Sequence, residues 1–169
     1  IRNKSLNIAA LVQKKDGSED LEFAMVQVPS GLPRIVELPE GPDGERRVIL
    51  LEEIIERNMK ELFLNYNIVS AHPFRIMRSA DFTLDEEEAE ALLAEIQKQV
   101  KERQWGEVIR LEVEEKVDKR LLKILKKELA VDSDAIYEIS GPLDLTFLMK
   151  MYGMDGFDEL KTPPYTPQP

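Results

Sequence analysis

The chain has 169 residues, which fits one domain, or one domain with a tail. Its 23 basic and 33 acidic residues leave a formal charge of −10, a field that repels nucleic acid and anionic lipid at long range. The absence of cysteine excludes disulfides, thiolate metal sites and a cysteine nucleophile, and is compatible with the cytoplasm.

Leu6 to Lys14 is an apolar run of strand length, and Leu21 to Val28 is a second. The turn residues Asp16-Gly17-Ser18 between them predict a β-hairpin. Pro29-Ser30-Gly31-Leu32-Pro33 then breaks regular structure, because proline lacks the backbone donor and extends the residue before it. Arg34 to Leu38 is a short strand, Pro39 to Glu45 a polar surface turn, and Arg47 to Leu50 another strand. A helix follows from Leu51. Its apolar residues Leu51, Ile54, Ile55, Met59, Leu62 and Phe63 fall at helical spacing, leaving Glu52, Glu53, Glu56 and Lys60 outward. Tyr66 to Ser79 reads as strand, interrupted by Pro73.

Thr83-Leu84-Asp85-Glu86 fits a capping box and opens a helix with Leu92, Leu93, Ile96 and Val100 on one stripe. Lys98, Lys101 and Arg103 suit the negative end of that helix, and Gly106 stops it. Val108 to Glu114 alternates like a half-buried strand. Val117 to Leu129 is a helix with Leu121, Leu122, Leu125 and Leu129 inward. Ala135 to Ile139 is a last strand and Leu143 to Met151 a last short helix. Residues 153–169 contain four of the prolines and form a surface linker. The expected fold is α+β, a mixed β-sheet with three to four helices packed on it, in a single domain over residues 1–152.

The residues offer little chemistry. There is no Gly-rich phosphate loop. No apolar run reaches a membrane span, and no signal-peptide pattern follows Ile1-Arg2-Asn3-Lys4. The start at Ile1 and the proline-rich end make the chain read as a segment of a longer protein. His72 is the single histidine, and no sequence neighbour would orient or activate it. It reads as a strand-end residue packed against Pro73. The acidic run Asp85 to Glu88 spreads around one helical turn and serves the helix dipole better than a metal. Lys123, Lys126 and Lys127 read as a solvated face. No catalytic residue and no metal ligand is expected. The candidates that remain are Arg34, Arg75 and Arg78. Arg75 and Arg78 fall on opposite faces of one strand, so one of them must point inward, where arginine needs an acid or a phosphate. Asp81 is a candidate partner for Arg78. A structural ion pair, a contact with another domain and a phosphate contact all remain open for this pair.

Several segments, taken in order, resemble the middle or "head" domain of the larger bacterial polyphosphate kinases. They are Asn3 to Ala9, Val28-Pro29-Ser30-Gly31-Leu32-Pro33-Arg34, and Leu51-Glu52-Glu53-Ile54-Ile55 with Asn58 and Leu62-Phe63. Further on come Pro73 to Arg78 with Ala80-Asp81, Gly106 with Arg110 to Val113, Gly141 to Leu145, and the tail from Leu160 to Pro167. Ile35 and Ser79 depart from the family pattern, which has an aromatic residue and an acid there.

The resemblance implies an enzyme that reversibly moves the terminal phosphate of ATP onto inorganic polyphosphate, with Mg²⁺ and a phosphohistidine. The catalytic histidines and ATP ligands would lie in C-terminal domains beyond this segment, so His72 inherits no role. No cofactor is expected in this segment itself. The domain would contribute dimer contacts and help frame the polyphosphate path, with the N-terminal and C-terminal domains of the same chain as partners. Alternatively, it would be a phosphate-binding regulatory module using Arg34, Arg75 and Arg78. The implied location is cytoplasmic, with membrane association of the parent complex as a variant.

Overall fold

The computed structural model describes residues 1–79, 106–163 and 165–167. A five-stranded mixed sheet runs in the order β2-β1-β5-β6-β7, formed by β1 (Leu6–Lys14), β2 (Leu21–Gln27), β5 (Tyr66–Arg78), β6 (Val108–Glu114) and β7 (Ile136–Ile139). A two-stranded ribbon of β3 (Ile35–Leu38) and β4 (Arg47–Leu50) stands beside it. The helices are α1 (Leu51–Arg57), α2 (Met59–Leu62), α3 (Lys119–Glu128) and α4 (Phe147–Tyr152). The α+β expectation is met by this architecture. No helix among the described residues is long and apolar enough to cross a membrane.

The β1–β2 hairpin forms where expected. Gly17 supplies a φ of +91°, and the Asp16 carboxylate accepts from Ser18 N–H at 3.0 Å, a local bond that holds the turn. β1 is buried almost end to end because both its faces are covered. Ala9 and Leu11 join Phe74, Ile76, Leu111 and Val113 in one core cluster, under Leu121 and Leu125 of α3. Ile8, Ala10 and Val12 join a second cluster on the other face, with Leu51 of α1, Met59 of α2 and Leu143. The sheet is therefore the middle layer between α3 and the α1–α2 pair.

α3 starts at Lys119 rather than Val117 because Asp118 is its cap, accepting from Arg120 N–H at 2.9 Å. The Arg120 side chain holds the Asp118 carboxyl well below the usual carboxylate range. The helix ends with Ala130 in the left-handed region at φ 50°. Val131 N–H then reaches back to the Lys126 carbonyl and Ala130 N–H to that of Lys127, at 3.1 and 3.3 Å.

The structure corrects the expectation of one helix from Leu51. The chain breaks at Asn58, whose side-chain amide donates to the Ile54 carbonyl at 2.7 Å and competes with the helical ladder. The kink keeps Met59 in the core but turns Leu62 out to solvent. Glu52, expected outward, is buried against Arg34.

β5 was expected to be interrupted at Pro73, yet it continues through it. Pro73 pairs with Ile8 of β1, while pairing with β6 begins only at Phe74. The proline therefore sits where β5 has a single neighbouring strand, a position that tolerates a missing donor. The helix expected from Thr83 to Arg103, with the Asp85 to Glu88 run, and the Asp81 partner all lie outside the described residues.

Candidate functional site

Arg34 precedes β3, and Glu52 lies in the first turn of α1. The ribbon register pairs Ile35 with Leu50, and Leu51 N–H donates to the Arg34 carbonyl at 2.8 Å. The two side chains are thereby placed face to face. Arg34 Nη2 donates to Glu52 Oε1 at 2.5 Å and Nε donates to Oε2 at 3.1 Å. The guanidinium also donates to the main-chain carbonyls of Leu143 and Asp144 and lies 5.0 Å from the centre of the Phe147 ring. The Glu52 side chain is 5% exposed and that of Arg34 16%. A bidentate pair with further acceptors on both sides is the arrangement that lets two charges remain buried.

Asp144 extends the pattern. It holds a φ of 53°, a conformation that aspartate tolerates when its side chain bonds locally. Thr146 supplies those bonds, its Oγ1–H donating at 2.8 Å and its N–H at 3.2 Å. Arg34 Nη1 lies 3.9 Å and Arg75 Nε 4.0 Å from the other oxygen. Burial raises the Asp144 carboxyl, but the Thr146 bonds and then the charges of Arg75 and Arg34 outweigh it, leaving it below its ordinary value. Arg75 in turn meets the buried Glu112 at 3.4 Å, and Arg110 Nε lies 2.8 Å from the same carboxylate as an ion pair without hydrogen-bond geometry. Glu52, Arg34, Asp144, Arg75, Glu112 and Arg110 thus alternate in sign across one face of the sheet. They tie the β3–β4 ribbon and the segment before α4 to β5 and β6.

Arg78 is elsewhere. It donates to the Gly106 carbonyl at 2.7 Å and to the Ile1 carbonyl at 3.3 Å, and Ile1 packs on the α3 side of the sheet. Of the three arginines singled out in the sequence, the fold brings Arg34 and Arg75 to a shared carboxylate and leaves Arg78 apart.

His72 does have a partner, contrary to the expectation from its sequence neighbours. Its Nδ1 lies 2.8 Å from Glu114 Oε2, the end of β6 having been brought alongside by the Phe74–Val113 pairing. This bond holds the imidazole above its ordinary value of 6.5, burial opposes the shift, and the charges of Glu114, Glu56 and Asp118 add to it. Burial, and then Glu114, likewise raise the Glu56 carboxyl. A histidine favoured in its charged form stabilises the fold below the unfolded pKa of about 6.5, and that contribution disappears as pH rises through the folded value. Denaturant unfolding over a pH series should therefore show stability falling above pH 6.5. His72→Gln should flatten that slope, and an unchanged slope in the variant would refute the assignment.

Two clefts border the charge ladder. One, about 320 Å³, is lined by Glu52, Glu53, Glu56, Glu114 and Glu115 with the single cation Lys116. The other, about 420 Å³, is lined by Arg2, Lys4, Arg34 and Lys150 with the single acid Asp144. Among the described residues no group of three histidine, aspartate or glutamate side chains is placed to hold a metal ion.

The sequence missed Glu52, Asp144 and Glu114. Glu52 has helical spacing that points it outward, and only the ribbon register turns it inward. The link from Arg34 to Asp144 spans 110 residues and has no local signal.

Comparison with known proteins places this geometry. The sequence model of the family described as "Polyphosphate kinase middle domain" matches residues 1–151. A polyphosphate kinase of Halalkalibacterium halodurans is 42% identical over 170 residues, covering 99% of this chain and 24% of that protein. One of Pseudomonas aeruginosa is 32% identical over 167 residues, covering 98% of this chain and 24% of the relative. The crystal structure of polyphosphate kinase from Porphyromonas gingivalis superposes with a TM-score of 0.67 at 22% identity, covering 100% of this chain and 23% of that one. The chain therefore spans about a quarter of the length of the proteins it matches.

Proposed function

The chain belongs to the polyphosphate kinase family, as its middle domain, and from that premise we propose that it is a non-catalytic structural and dimer-forming part of such an enzyme. The parent reaction would be reversible transfer of the terminal phosphate of ATP to inorganic polyphosphate, with Mg²⁺ and the reacting histidine supplied by other domains of the same polypeptide. The observation that carries the reading is the state of the arginines. Arg34 and Arg75 are held by internal carboxylates and carbonyls, so they brace the fold rather than wait for a ligand. His72 is likewise a tie between β5 and β6.

Dimer formation is supported by the sheet edge. β2 is one of the two edge strands of the sheet among the described residues, and its Leu21, Phe23 and Met25 form an exposed apolar row on one face. Phe23 pairs with the buried Leu11, so the row continues a core face that α3 covers further along. An edge of this kind favours pairing with a second copy. Sedimentation equilibrium over a concentration series tests this. The expected mass rises from the 19.4 kDa of one chain toward twice that value. Phe23→Lys, which charges the edge, should hold the mass at one chain. A wild-type chain that stays monomeric throughout would remove the dimer role.

A further inference from the structure

The chain holds three Asp-Gly pairs, and all of them lie in exposed turns: Asp16-Gly17, Asp43-Gly44 and Asp155-Gly156. An Asp-Gly bond can rearrange without an enzyme. The glycine amide nitrogen attacks the aspartate side-chain carboxyl, and glycine has no side chain to hinder the approach. The three turns share this residue pair but differ in how the fold holds the reacting groups.

At Asp43 the nucleophile is engaged, because Gly44 N–H donates to the Gly41 carbonyl at 3.0 Å. At Asp16 the carboxylate is fixed, because it accepts from Ser18 N–H at 3.0 Å. At Asp155 neither reacting group is held: among the described residues nothing bonds its carboxylate or the Gly156 N–H. Instead, the carbonyl of that same peptide accepts from Arg46 Nη1 at 2.7 Å. A guanidinium on the peptide oxygen draws electrons away from the peptide and makes its N–H a better acid, so the nitrogen is more readily deprotonated for attack. Arg46 is itself braced by Glu37 at 2.9 Å and by the Phe157 ring, whose centre is 5.4 Å away. The turn thus combines an unheld nucleophile, an unheld carboxyl and a fixed cation on the bond between them.

We propose that Asp155-Gly156 is a site of spontaneous isoaspartate formation, promoted by Arg46. In the first step the Gly156 nitrogen bonds to the Asp155 side-chain carboxyl carbon, and the amide proton leaves with the carboxyl hydroxyl as water. The product is a cyclic succinimide. In the second step water adds to the main-chain carbonyl carbon, the one polarised by Arg46, and its bond to the Gly156 nitrogen breaks. The nitrogen takes a proton from the water, and the main chain now runs through the former side chain. Nothing is oxidised or reduced, and the mass is unchanged. The main-chain carbonyl becomes a carboxylate facing Arg46, so a bond to a neutral acceptor is replaced by a stronger ionic one. The backbone gains one carbon between Asp155 and Gly156. That extra length displaces Phe157 from Arg46 and loosens the tail from the β3–β4 ribbon. The site goes beyond the structural role above and depends on neither dimer formation nor turnover.

Ageing the full chain at neutral pH and mapping its peptides tests this. Isoaspartate at each pair is quantified by methyl transfer from labelled S-adenosylmethionine with an isoaspartyl methyltransferase, and located by electron-transfer fragmentation. Asp155 should accumulate several-fold more isoaspartate than Asp16, and Asp43 the least. In urea the differences should shrink, because the fold no longer distinguishes the three turns. Arg46→Gln should lower the Asp155 rate to that of Asp16 and leave the Asp16 rate as it was. Phe157→Leu, which removes the ring contact but not the bond to the carbonyl, should keep Asp155 the fastest. Equal rates at the three pairs in the folded chain, or an Asp155 rate undiminished in Arg46→Gln, would overturn the proposal. Neither outcome bears on dimer formation or on turnover by the chain, which are read by mass and by phosphoryl transfer.

Discussion

Replacing Arg34 with methionine should destabilise the domain by about 3–5 kcal/mol, the range seen when one partner of a buried ion pair is removed. The large effect comes from what remains. Glu52, 5% exposed, would be left buried with no guanidinium facing it, and the Leu143 and Asp144 carbonyls would lose their donors. The companion variants make the argument testable. Glu52→Leu alone should also be strongly destabilising, because it strands the guanidinium. The double variant Arg34→Met/Glu52→Leu should recover most of the loss, since replacing both members of a buried pair with apolar groups is often close to neutral. Urea unfolding of the four proteins gives the coupling directly. If Arg34 were a ligand group instead, Arg34→Met would leave the unfolding midpoint unchanged and the cycle would be additive.

Phe74→Ala should cost about 3–5 kcal/mol, the usual range for deleting a fully buried aromatic side chain. Phe74 is 0% exposed and lies at the centre of the cluster between the sheet and α3. For a chain of this size that loss lowers the melting temperature by roughly 6–20 °C. The contrast with Leu62→Ala makes the prediction specific. Leu62 falls on the same helical stripe as Leu51 in the sequence, yet it is exposed, and its truncation should change stability by less than about 0.5 kcal/mol. Comparable losses in the two variants would mean that the break at Asn58 is misplaced.

Those two positions show how much of the fold could be read in advance. The β1–β2 hairpin, the strand at Val108 and the helix over Leu121 and Leu125 were legible because each depends on local periodicity and turn chemistry. The two clusters on opposite faces of β1 follow from its unbroken apolar run. What was not legible depends on distant partners. Glu52 sits at a helical position that periodicity assigns to solvent, and only the pairing of β3 with β4 aims it at Arg34. Asn58 breaks its helix through a side-chain bond that apolar spacing does not register. Pro73 reads as a strand breaker unless the neighbouring pairing is known to start one residue later. In the candidate site, Arg34 and Arg75 were both singled out as candidate phosphate ligands, and only the Arg75–Arg78 pair as needing a partner. The convergence of Arg34 and Arg75 on Asp144 was not legible, because that residue reaches them through a left-handed turn far along the chain.

The most direct measurement of the central claim is phosphoryl transfer by the chain itself. The purified chain is incubated with Mg²⁺ and ATP labelled at the terminal phosphate, with and without a polyphosphate primer, beside a mock purification. With His72 tied to Glu114 and the arginines of the ladder held internally, the account predicts no label in polyphosphate and none retained on the protein. Labelled polyphosphate above the mock level, or label on His72 that is lost in His72→Gln, would contradict it.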